Sequence, residues 1–369
     1  MITYKKILIT GASGYVGQHL ISSLFFEGDA NTRVEYELYC AYNSLPTFEN
    51  DLNDLLRKSS PPLHPNICCV KSIPNIDFSK PDFADTIKSV CGDKIDAIIH
   101  LAALSSPGYC EKNATDAWKV NCPVDLLAFD APIIYLSTDQ VYEGTKQYYV
   151  EDDDEAVPVN VYGRTKLAFE RVLLRTKQGT DESGPLLTEK ELGGSGMPDI
   201  IKSIPAPAHP KSVILRSSLI LGPPTPLKNG CKKGTFPSFL QFIESRLQSS
   251  TPTDYFVNEF RSVVHVDDVI IAIKHFLRHA LLDGASDEKE TQLFNLGGST
   301  RASRYDIALE VSNHLGLSPS SANAVNRPEA GGGGVSSPPD ISMNVDKITE
   351  ELGVSKMKSL KEIVQSTFK

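Results

Sequence analysis

The chain of 369 residues lacks several common sequence features, and each absence excludes a class of protein or binding site. It has no apolar run that approaches the length needed to cross a bilayer, so we expect no membrane-spanning helix and no membrane partner. Its seven cysteines are odd in number and form no Cys-x-x-Cys pair, which is typical of reduced thiols rather than of a disulfide framework or a zinc site. These features predict a cytoplasmic protein.

Positive charge is also scarce. The chain has 37 Lys and Arg against 46 Asp and Glu, a net charge of −9, which argues against nucleic acid or an anionic membrane surface as a partner. An apolar strand begins within a few residues of the N-terminus, so we expect no signal peptide. The residues around His265 do not form a metal-binding cluster, since Asp267 is better explained as a helix N-cap, and we predict no metal site.

Short apolar runs and helix-like stretches alternate along the chain. The predicted strands are residues 7–10, 36–42, 68–70, 96–103, 132–139 and 212–222, and the clearest helical stretches are 115–129 and 161–175. Several strands are apolar on both faces, which indicates a parallel sheet covered by helices on both sides. The sequence therefore predicts an α/β fold, a Rossmann-type doubly wound parallel sheet with a smaller C-terminal α/β substrate domain.

Three polar stretches rich in Gly, Pro or charge interrupt this order, at residues 44–66, 177–211 and 327–340. We interpret them as loop insertions. The predicted domains are a dinucleotide-binding domain over 1–176, a flexible insertion over 177–211, and a mixed segment over 212–369. This last segment is expected to complete the sheet and to form the substrate-binding domain.

The stretch "TGASGYVG" places three glycines where the first strand passes into the first helix. Glycine suits a tight turn, a close approach to a pyrophosphate and close helix packing, and the helix N-terminus favours phosphate charge. The spacing is Gly-x-x-Gly-x-x-Gly, not the Gly-x-Gly-x-x-Gly of ordinary dinucleotide dehydrogenases. The predicted contacts of this turn with the cofactor are Thr10, Gly11, Gly14, Tyr15, Val16 and Gly17.

The end of the second strand should carry the residue that reads the cofactor ribose. Residues 41–44 contain no carboxylate, which leaves room for a 2′-phosphate with Asn43 and Ser44 as donors. The sequence therefore favours NADPH, with NADH as an open alternative. Asp77 and Phe78 are expected near the adenine, although a surface loop is an alternative for Asp77. Residues 101–103 (Leu101, Ala102 and Ala103), at the end of the fourth predicted strand, are predicted to line the same cleft.

Two Tyr-x-x-x-Lys pairs compete for a catalytic role. Tyr142 and Lys146 have a glycine between them directly after a strand, which favours a turn. Tyr162 and Lys166 begin a helical stretch for which Asn160 is a suitable N-cap, and residues i and i+4 of a helix share a face. This spacing arises by chance about once in a chain of this size, so context decides, and it favours the second pair.

Thr138 closes the fifth predicted strand, and open parallel sheets bind ligands at strand C-termini. We predict that Thr138, Tyr162 and Lys166 converge beside the cofactor, a set suited to hydride transfer to a ketone. The lysine and the cofactor charge would lower the pKa of the phenol from about 10 to roughly 7–8. Tyr162 would then donate the proton, Lys166 would hold the ribose, and Thr138 would give a second hydrogen bond.

The motifs "TGASGYVG", "HLAA", "LSTDQVYEG" and "VYGRTK" resemble the extended short-chain dehydrogenase/reductase family. Within it, "STDQVYEG", "VEDDDEAVPVNVYGRTK" and "DISMNVDKITEELG" resemble dTDP-4-dehydrorhamnose reductases and the regulatory beta subunits of methionine adenosyltransferase. The resemblance implies an NADPH-binding domain, a smaller substrate domain and a catalytic triad on Thr138, Tyr162 and Lys166.

The residues after the triad threonine separate some activities. Dehydratases of this family carry Asp-Glu there, whereas this chain has Asp139 and Gln140, so a 4,6-dehydratase is not expected. Thr138, Asp139 and Gln140 are predicted to contact substrate, and Arg216 and Arg261 to grip a nucleotide diphosphate, with a structural ion pair as the alternative for Arg216.

Three functions stay open on this basis. The first is NADPH-dependent reduction of a 4-keto-6-deoxy nucleotide sugar. The second is a cofactor-binding regulatory subunit that docks on a methionine adenosyltransferase catalytic subunit. The third is a nucleotide-sugar epimerase with tightly retained NAD⁺. A homodimer is an open alternative to a monomer.

Overall fold

In the computed structural model the placement of most of the chain is described. The described residues are 3–26, 34–43, 45–58, 67–152, 154–175, 186–193, 212–227, 229–231, 235–282, 291–328 and 334–369. Within them, no helix has both the length and the apolar character needed to cross a bilayer.

The described strands and helices alternate as the sequence predicts. The strands are β1 (Thr3–Thr10), β2 (Val34–Ala41), β3 (Ile67–Ile73), β4 (Ala97–His100), β5 (Ile133–Thr138), β6 (Val213–Ser217), β7 (Ile220–Leu221), β8 (Thr253–Phe256), β9 (Phe260–Ser262), β10 (Val264–His265), β11 (Gln292–Leu296), β12 (Arg301–Ser303) and β13 (Ala322–Val325). The α-helices are α1 (Tyr15–Phe26), α2 (Phe48–Lys58), α3 (Phe83–Cys91), α4 (Pro107–Lys112), α5 (Ala114–Asn121), α6 (Val161–Leu174), α7 (Glu189–Leu192), α8 (Phe239–Gln248), α9 (Val266–Leu282), α10 (Arg304–Leu315), α11 (Asp346–Glu351) and α12 (Leu360–Thr367).

Seven of the strands form one sheet in the order β11-β6-β5-β4-β1-β2-β3. Every neighbouring pair in it is parallel. The strand order reverses between β1 and β4, and open α/β sheets bind ligands at such a point, outside the carboxyl ends of the strands. The predicted doubly wound parallel sheet is confirmed.

Alternate residues of each strand point to opposite faces of the sheet, and both faces are buried. Along β1, Ile7 and Ile9 belong to the core beneath α1 and α9, whereas Leu8 belongs to the core beneath α3 and α6. Burial on both faces explains why the central strands are continuously apolar, since a strand with one solvated face would alternate with polar residues.

A third, smaller core lies in the C-terminal part of the chain, where α8, α10 and α12 pack together. Three two-stranded sheets accompany it, formed by β7 with β10, β9 with β12, and β8 with β13. Meanwhile β6 and β11 join the main sheet, so the C-terminal segment contributes to both parts of the molecule.

Two predicted elements are divided in the structure. The helical stretch 115–129 is α5 followed by a 3₁₀ helix at Val124–Phe129, because Pro123 between them cannot donate a backbone hydrogen bond. The predicted strand 212–222 is β6 and β7, since the chain leaves the main sheet after Ser217 to pair with β10.

The three predicted insertions have different outcomes. Residues 44–66 are not a simple loop, because 48–58 form α2, which buries Phe48 and Leu52 against the core. Of 177–211, the structure describes 186–193, and the remainder lies outside the described residues. Of 327–340, the structure describes 327–328 and 334–340, and Ser337 and Pro338 accept hydrogen bonds from Arg261.

Candidate active site

Two cavities meet at the carboxyl ends of the central strands. One has a volume of about 420 Å³ and lies between the glycine turn, the end of β5, the start of α6 and the C-terminal part. The other has a volume of about 660 Å³ and extends from the same turn along the ends of β2, β3 and β4. Because both are lined by Gly11, Gly14, Leu101, Ala103 and Ser105, they form one continuous cleft.

Most of the residues predicted to contact cofactor line this cleft. They are Gly11, Gly14, Tyr15, Val16, Gly17, Asn43, Asp77, Phe78, Leu101, Ala102, Ala103, Tyr162 and Lys166. Thr10 does not line it, because its hydroxyl is fully buried and bonds His100 Nδ1 at 2.7 Å, tying β1 to β4. Ser44 lies outside the described residues.

The glycine turn is shaped by two close backbone approaches. Gly11 has φ +67°, a left-handed conformation, and a Cβ on it would lie 2.7 Å from the backbone nitrogen of Ala102. A Cβ on Gly17 would lie 2.5 Å from the carbonyl oxygen of Gly11. The turn therefore seats α1 tightly on the sheet, with the N-terminus of that helix at the cleft.

The wider cavity offers polar groups where β2 and β3 end. Asn43 is exposed there, and Asp77 accepts a hydrogen bond from the Ser79 backbone N–H at 2.9 Å. Burial would raise the pKa of Asp77, but hydrogen bonds from Ser79 and nearby lysines lower it overall. The Glu37 carboxylate lies upstream of this end of β2 and accepts from Tyr39 Oη at 2.9 Å.

The predicted triad comes together on one side of the smaller cavity. Thr138 is the last residue of β5, and Tyr162 and Lys166 project from the first turns of α6. All three line this cavity, and all three are buried. The Thr138 hydroxyl donates to Asp139 Oδ1 at 3.3 Å, and Thr138 lies close enough to Tyr162 to lower the pKa of its phenol.

Local sequence fixes the start of α6. Asn160 caps the helix by accepting from the Gly163 backbone N–H at 2.9 Å, as predicted. Its amide donates to Gln140 Oε1 at 2.9 Å, which ties the cap to the turn after β5. A Cβ on Gly163 would lie 2.2 Å from the carbonyl oxygen of Gln140, so only glycine lets α6 approach that turn. The glycine of "VYGRTK" thus sets the distance between Thr138 and Tyr162.

The electrostatics of the triad differ from the prediction. Burial raises the pKa of Tyr162 well above its usual range, against the smaller lowering effect of the Thr138 hydrogen bond. Burial also lowers the pKa of Lys166 to about 7. The Lys166 Nζ donates to the Leu136 carbonyl at 2.7 Å and lies 4.2 Å from the centre of the Tyr135 ring. In the protein alone the pKa of Tyr162 is therefore raised rather than lowered as predicted, and burial is the main cause.

The competing pair does not form a site. Tyr142 is completely buried, donates to Asn295 Oδ1 at 2.8 Å and accepts from Arg216 Nη1 at 2.9 Å. Lys146 forms an ion pair with Asp154 instead. The two side chains of this Tyr-x-x-x-Lys sequence thus have separate partners, as the glycine between them suggested.

The structure corrects the prediction that Arg216 binds substrate. It does not line either cavity, and its buried guanidinium binds the Glu170 carboxylate with Nη2–Oε2 2.8 Å and Nε–Oε2 3.1 Å. Glu170 and Tyr142 raise its pKa despite the opposing effect of burial. Arg216 points to the face of β6 that packs on α6, so the structural ion pair left open by the sequence is the correct alternative.

Arg261 and Asp139 do face the smaller cavity. Arg261 Nε lies 3.9 Å from Asp139 Oδ2, and Ser218 Oγ donates to the same oxygen at 2.9 Å. Burial raises the pKa of Asp139, although Arg261 and Ser218 oppose this. Arg261 Nη1 also donates to the carbonyls of Phe260 at 2.7 Å and Pro338 at 3.1 Å.

Sequence reasoning missed Arg304 and Glu259. Arg304, the first residue of α10, lines the cavity with a side chain that is 30% exposed, and its Nε lies 3.5 Å from Glu259 Oε1. Glu259 is buried and also pairs with Arg261 and Arg327, and these cations lower its pKa although burial opposes them. In the sequence these residues were recognisable only as charged residues in three separate segments. The fold brings those segments together.

Comparison with known proteins gives a family match for the part of the chain that holds the triad. Residues 5–180 match the family model described as the RmlD substrate binding domain. This range includes the glycine turn and the start of α6.

Curated relatives match over shorter stretches. The dTDP-4-dehydrorhamnose reductase of Mycolicibacterium smegmatis is 34% identical over 126 residues, 29% of this chain and 38% of that protein. The methionine adenosyltransferase 2 subunit beta of Pongo abelii is 35% identical over 88 residues, 22% of this chain and 26% of that protein. The chain thus spans well under half the length of these two relatives.

Solved structures match over nearly the whole chain. A dTDP-4-dehydrorhamnose reductase from Bacillus anthracis in complex with NADP has a TM-score of 0.64 at 17% identity, covering 99% of both chains. A UDP-glucuronic acid 4-epimerase from Bacillus cereus in complex with UDP-glucuronic acid and NAD has a TM-score of 0.64 at 21% identity, covering 98% of this chain and 97% of that chain. Residues 5–180 are therefore similar to the RmlD substrate binding domain, and the chain as a whole shares the fold of these solved structures.

Proposed function

We propose that this protein is an NADPH-dependent reductase of a 4-keto-6-deoxy nucleotide sugar. The observation that carries the proposal is the convergence of Thr138, Tyr162 and Lys166 on a cavity that is also lined by the glycine turn. A proton donor and a dinucleotide-binding turn on one cavity wall are what reduction of a ketone requires.

The cleft fits a dinucleotide. Its two cavities of about 420 and 660 Å³ meet at the glycine turn, so a pyrophosphate at the N-terminus of α1 would direct one half of the cofactor into each. The adenosine half would lie beside Asn43 and Asp77, and the nicotinamide half beside Tyr162 and Lys166. NADPH would supply the hydride. The NADP bound to the Bacillus anthracis neighbour supports this class of cofactor.

The chain's own residues would supply the proton. As the carbonyl carbon gains the hydride, negative charge builds on the carbonyl oxygen, and the proton passes from the Tyr162 hydroxyl to that oxygen to give the alcohol. Because burial raises the pKa of Tyr162, the phenol keeps its proton until charge develops on the substrate. Thr138, which lines the same cavity, would donate a second hydrogen bond to the same oxygen.

The substrate half of the cavity favours an anionic ligand. Arg261 and Arg304 both line it, and Arg guanidinium groups pair well with phosphate. Gln140 follows Asp139 on the cavity wall, and an amide cannot act as the acid or base of a 4,6-dehydratase. A nucleotide sugar that is reduced, not dehydrated, fits these groups best.

A regulatory subunit of methionine adenosyltransferase is the second candidate. The likeness to the beta subunit supports it. So does the state of Arg261, whose guanidinium already has backbone and carboxylate partners, which would weaken its grip on a substrate diphosphate. In this case the protein would bind NADPH and a methionine adenosyltransferase catalytic subunit but turn over little sugar.

The deciding experiment incubates the pure protein with NADPH and dTDP-4-dehydrorhamnose and follows both absorbance and product. The reductase proposal expects stoichiometric oxidation of NADPH and the reduced sugar. Isomerised sugar without net oxidation of NADPH would indicate an epimerase instead. NADPH binding with no product, together with capture of a methionine adenosyltransferase catalytic subunit, would overturn the reductase in favour of the regulatory subunit.

A further inference from the structure

Two histidines and a glutamate lie together on the surface, remote in sequence from the triad. His275 and His279 are on α9, and Glu351 is the last residue of α11. One ligand atom from each of the three lies within 4.8 Å of the others. The sequence spacing His-x-x-x-His brings together only two of the three, because Glu351 is 76 residues from His275.

The backbone arranges the two imidazoles for joint binding. Residues four apart on a helix share a face, and the ring centroids of His275 and His279 are 4.4 Å apart. Glu351 reaches them from the neighbouring helix, with Oε1 2.8 Å from His275 Nε2. The three ligands therefore come from two elements that tertiary packing holds side by side.

The donor set has a definite preference. Two imidazole nitrogens and one carboxylate oxygen suit Zn²⁺ and related transition cations, and they leave a fourth coordination position for water. The His275 side chain is 24% exposed and that of Glu351 is 32% exposed, so a cation can enter from solvent. The cluster also lies in the C-terminal half of the 17-residue helix α9, where the helix dipole favours positive charge.

We propose that His275, His279 and Glu351 form a binding site for a divalent transition cation, with Zn²⁺ as the preferred ion. The ion would replace the direct bond between His275 and Glu351 by a bridge that also includes His279. The sequence predicted no metal site, on the basis of the cysteine spacing and of the surroundings of His265.

The location gives this site a structural consequence. Helix α11 follows the segment 340–345, in which Asp340 pairs with Arg301 and Asn344 donates its backbone N–H to the Tyr149 carbonyl. Helix α9 packs against α1, whose N-terminus lies at the cleft. A cation between α9 and α11 would therefore fasten the C-terminal segment to the main sheet, and this role does not depend on the proposed reductase activity.

The test uses the full-length protein without an affinity tag, because a polyhistidine tag would itself bind the probe ions. ZnCl₂ is titrated by calorimetry, CoCl₂ is followed by its visible absorption, and thermal unfolding is measured with and without ZnCl₂. We expect one Zn²⁺ per chain, a Co²⁺ spectrum of low coordination number and a raised unfolding temperature.

Three variants make the result specific. His279→Gln keeps the bond between His275 and Glu351, and Glu351→Gln removes the carboxylate charge. Loss of even an outer-shell partner costs about 10–100-fold in metal affinity, so each should weaken Zn²⁺ binding by at least about tenfold. His314→Gln, at a histidine that bonds the Phe368 carbonyl elsewhere, is the matched control and should bind as wild type does. Unchanged affinity in both His279→Gln and Glu351→Gln, or an equal loss in His314→Gln, would overturn the site.

Discussion

Tyr162 and Tyr142 share the Tyr-x-x-x-Lys spacing, yet the fold gives their hydroxyls different surroundings. Tyr162 faces the cleft beside Thr138, whereas Tyr142 bonds Arg216 and Asn295 in the core. Tyr162→Phe should lower turnover at least about a hundredfold, the usual scale for a positioned proton donor, and should barely change NADPH affinity. Steady-state kinetics and a direct NADPH titration measure the two effects.

Tyr142→Phe is the control for that prediction. It leaves two buried polar groups without a partner, so the free energy of unfolding should fall by about 1–3 kcal/mol while turnover of the folded enzyme is kept. If both variants lost turnover equally, or if neither did, the assignment of Tyr162 would be wrong.

The buried ion pair between Arg216 and Glu170 gives a second prediction at the scale of one residue. Removal of one partner of a buried ion pair leaves an uncompensated charge, at a cost of about 3–5 kcal/mol. Both Arg216→Gln and Glu170→Gln should therefore lower the free energy of unfolding in urea by about that amount and leave the KM for the sugar unchanged. Arg261→Gln, in the cavity wall, should raise KM and also lower stability, because Asp139 and Glu259 would lose a buried partner. A raised KM in Arg216→Gln at full stability would restore its role as a substrate residue.

At the scale of elements, the end of β2 is expected to determine the choice of cofactor. Asn43 lines the wider cavity just beyond Ala41, and this strand end offers no carboxylate among its described residues. NADPH should therefore bind more tightly than NADH, and Asn43→Asp should reverse the preference by repelling the 2′-phosphate. Fluorescence titrations with both cofactors measure this, with Asn43→Gln as the uncharged control. Tighter binding of NADH than of NADPH by the wild-type protein would contradict the proposed role of this strand end.

The segment 186–193 behaves as an element although it lies within a predicted flexible insertion. Leu186 and Leu187 are buried in the core beneath α6, and Glu191 pairs with Arg171 at 2.7 Å. Truncation of buried leucines costs about 2–5 kcal/mol, so Leu186→Ala and Leu187→Ala should each lower the unfolding temperature clearly.

Replacement of 194–211 by a Gly/Ser linker of the same length is the comparison. Its composition lacks the apolar periodicity of a core element, so the protein should still fold and bind NADPH. The same protein also tests the regulatory candidate, because loss of a methionine adenosyltransferase from pull-down with cofactor binding intact would locate the partner contact. A linker variant that fails to fold would show that this stretch is integral.

At the scale of the whole molecule, the buried Lys166 makes stability depend on pH. Burial lowers its pKa to about 7, below its usual value of about 10.4, so between these values the unfolded chain binds more protons than the folded one. Burial of Lys166 therefore destabilises the folded protein by a constant amount below pH about 7. This cost decreases as the pH rises from about 7 to about 10.4, so stability rises with pH over that range. Lys166→Met removes the cost of the buried charge.

The stability of Lys166→Met relative to wild type should accordingly grow as the pH falls from about 9 to 7. Urea unfolding of both proteins at matched pH values measures the difference. A difference that stays constant over this range would show that the ammonium is not desolvated in the folded protein.

The sequence by itself determined the parallel sheet, the glycine turn and the choice of Tyr162 with Lys166. These features depend on interactions between residues close in sequence. They are apolar strands buried on both faces, glycine at a left-handed turn, and an N-cap residue directly before the helix it starts. The break between α5 and the following 3₁₀ helix could also have been predicted from Pro123, because proline cannot donate a backbone hydrogen bond within a helix.

Only the tertiary structure decided how charges pair. It assigned Arg216 to Glu170, placed Arg304 at the cleft beside Glu259, and brought Glu351 to His275 and His279. It also set the direction of the pKa of Tyr162 through burial. These outcomes depend on distances between residues far apart in the chain and on how much water each group loses, and neither quantity is encoded in the spacing of residues along the sequence.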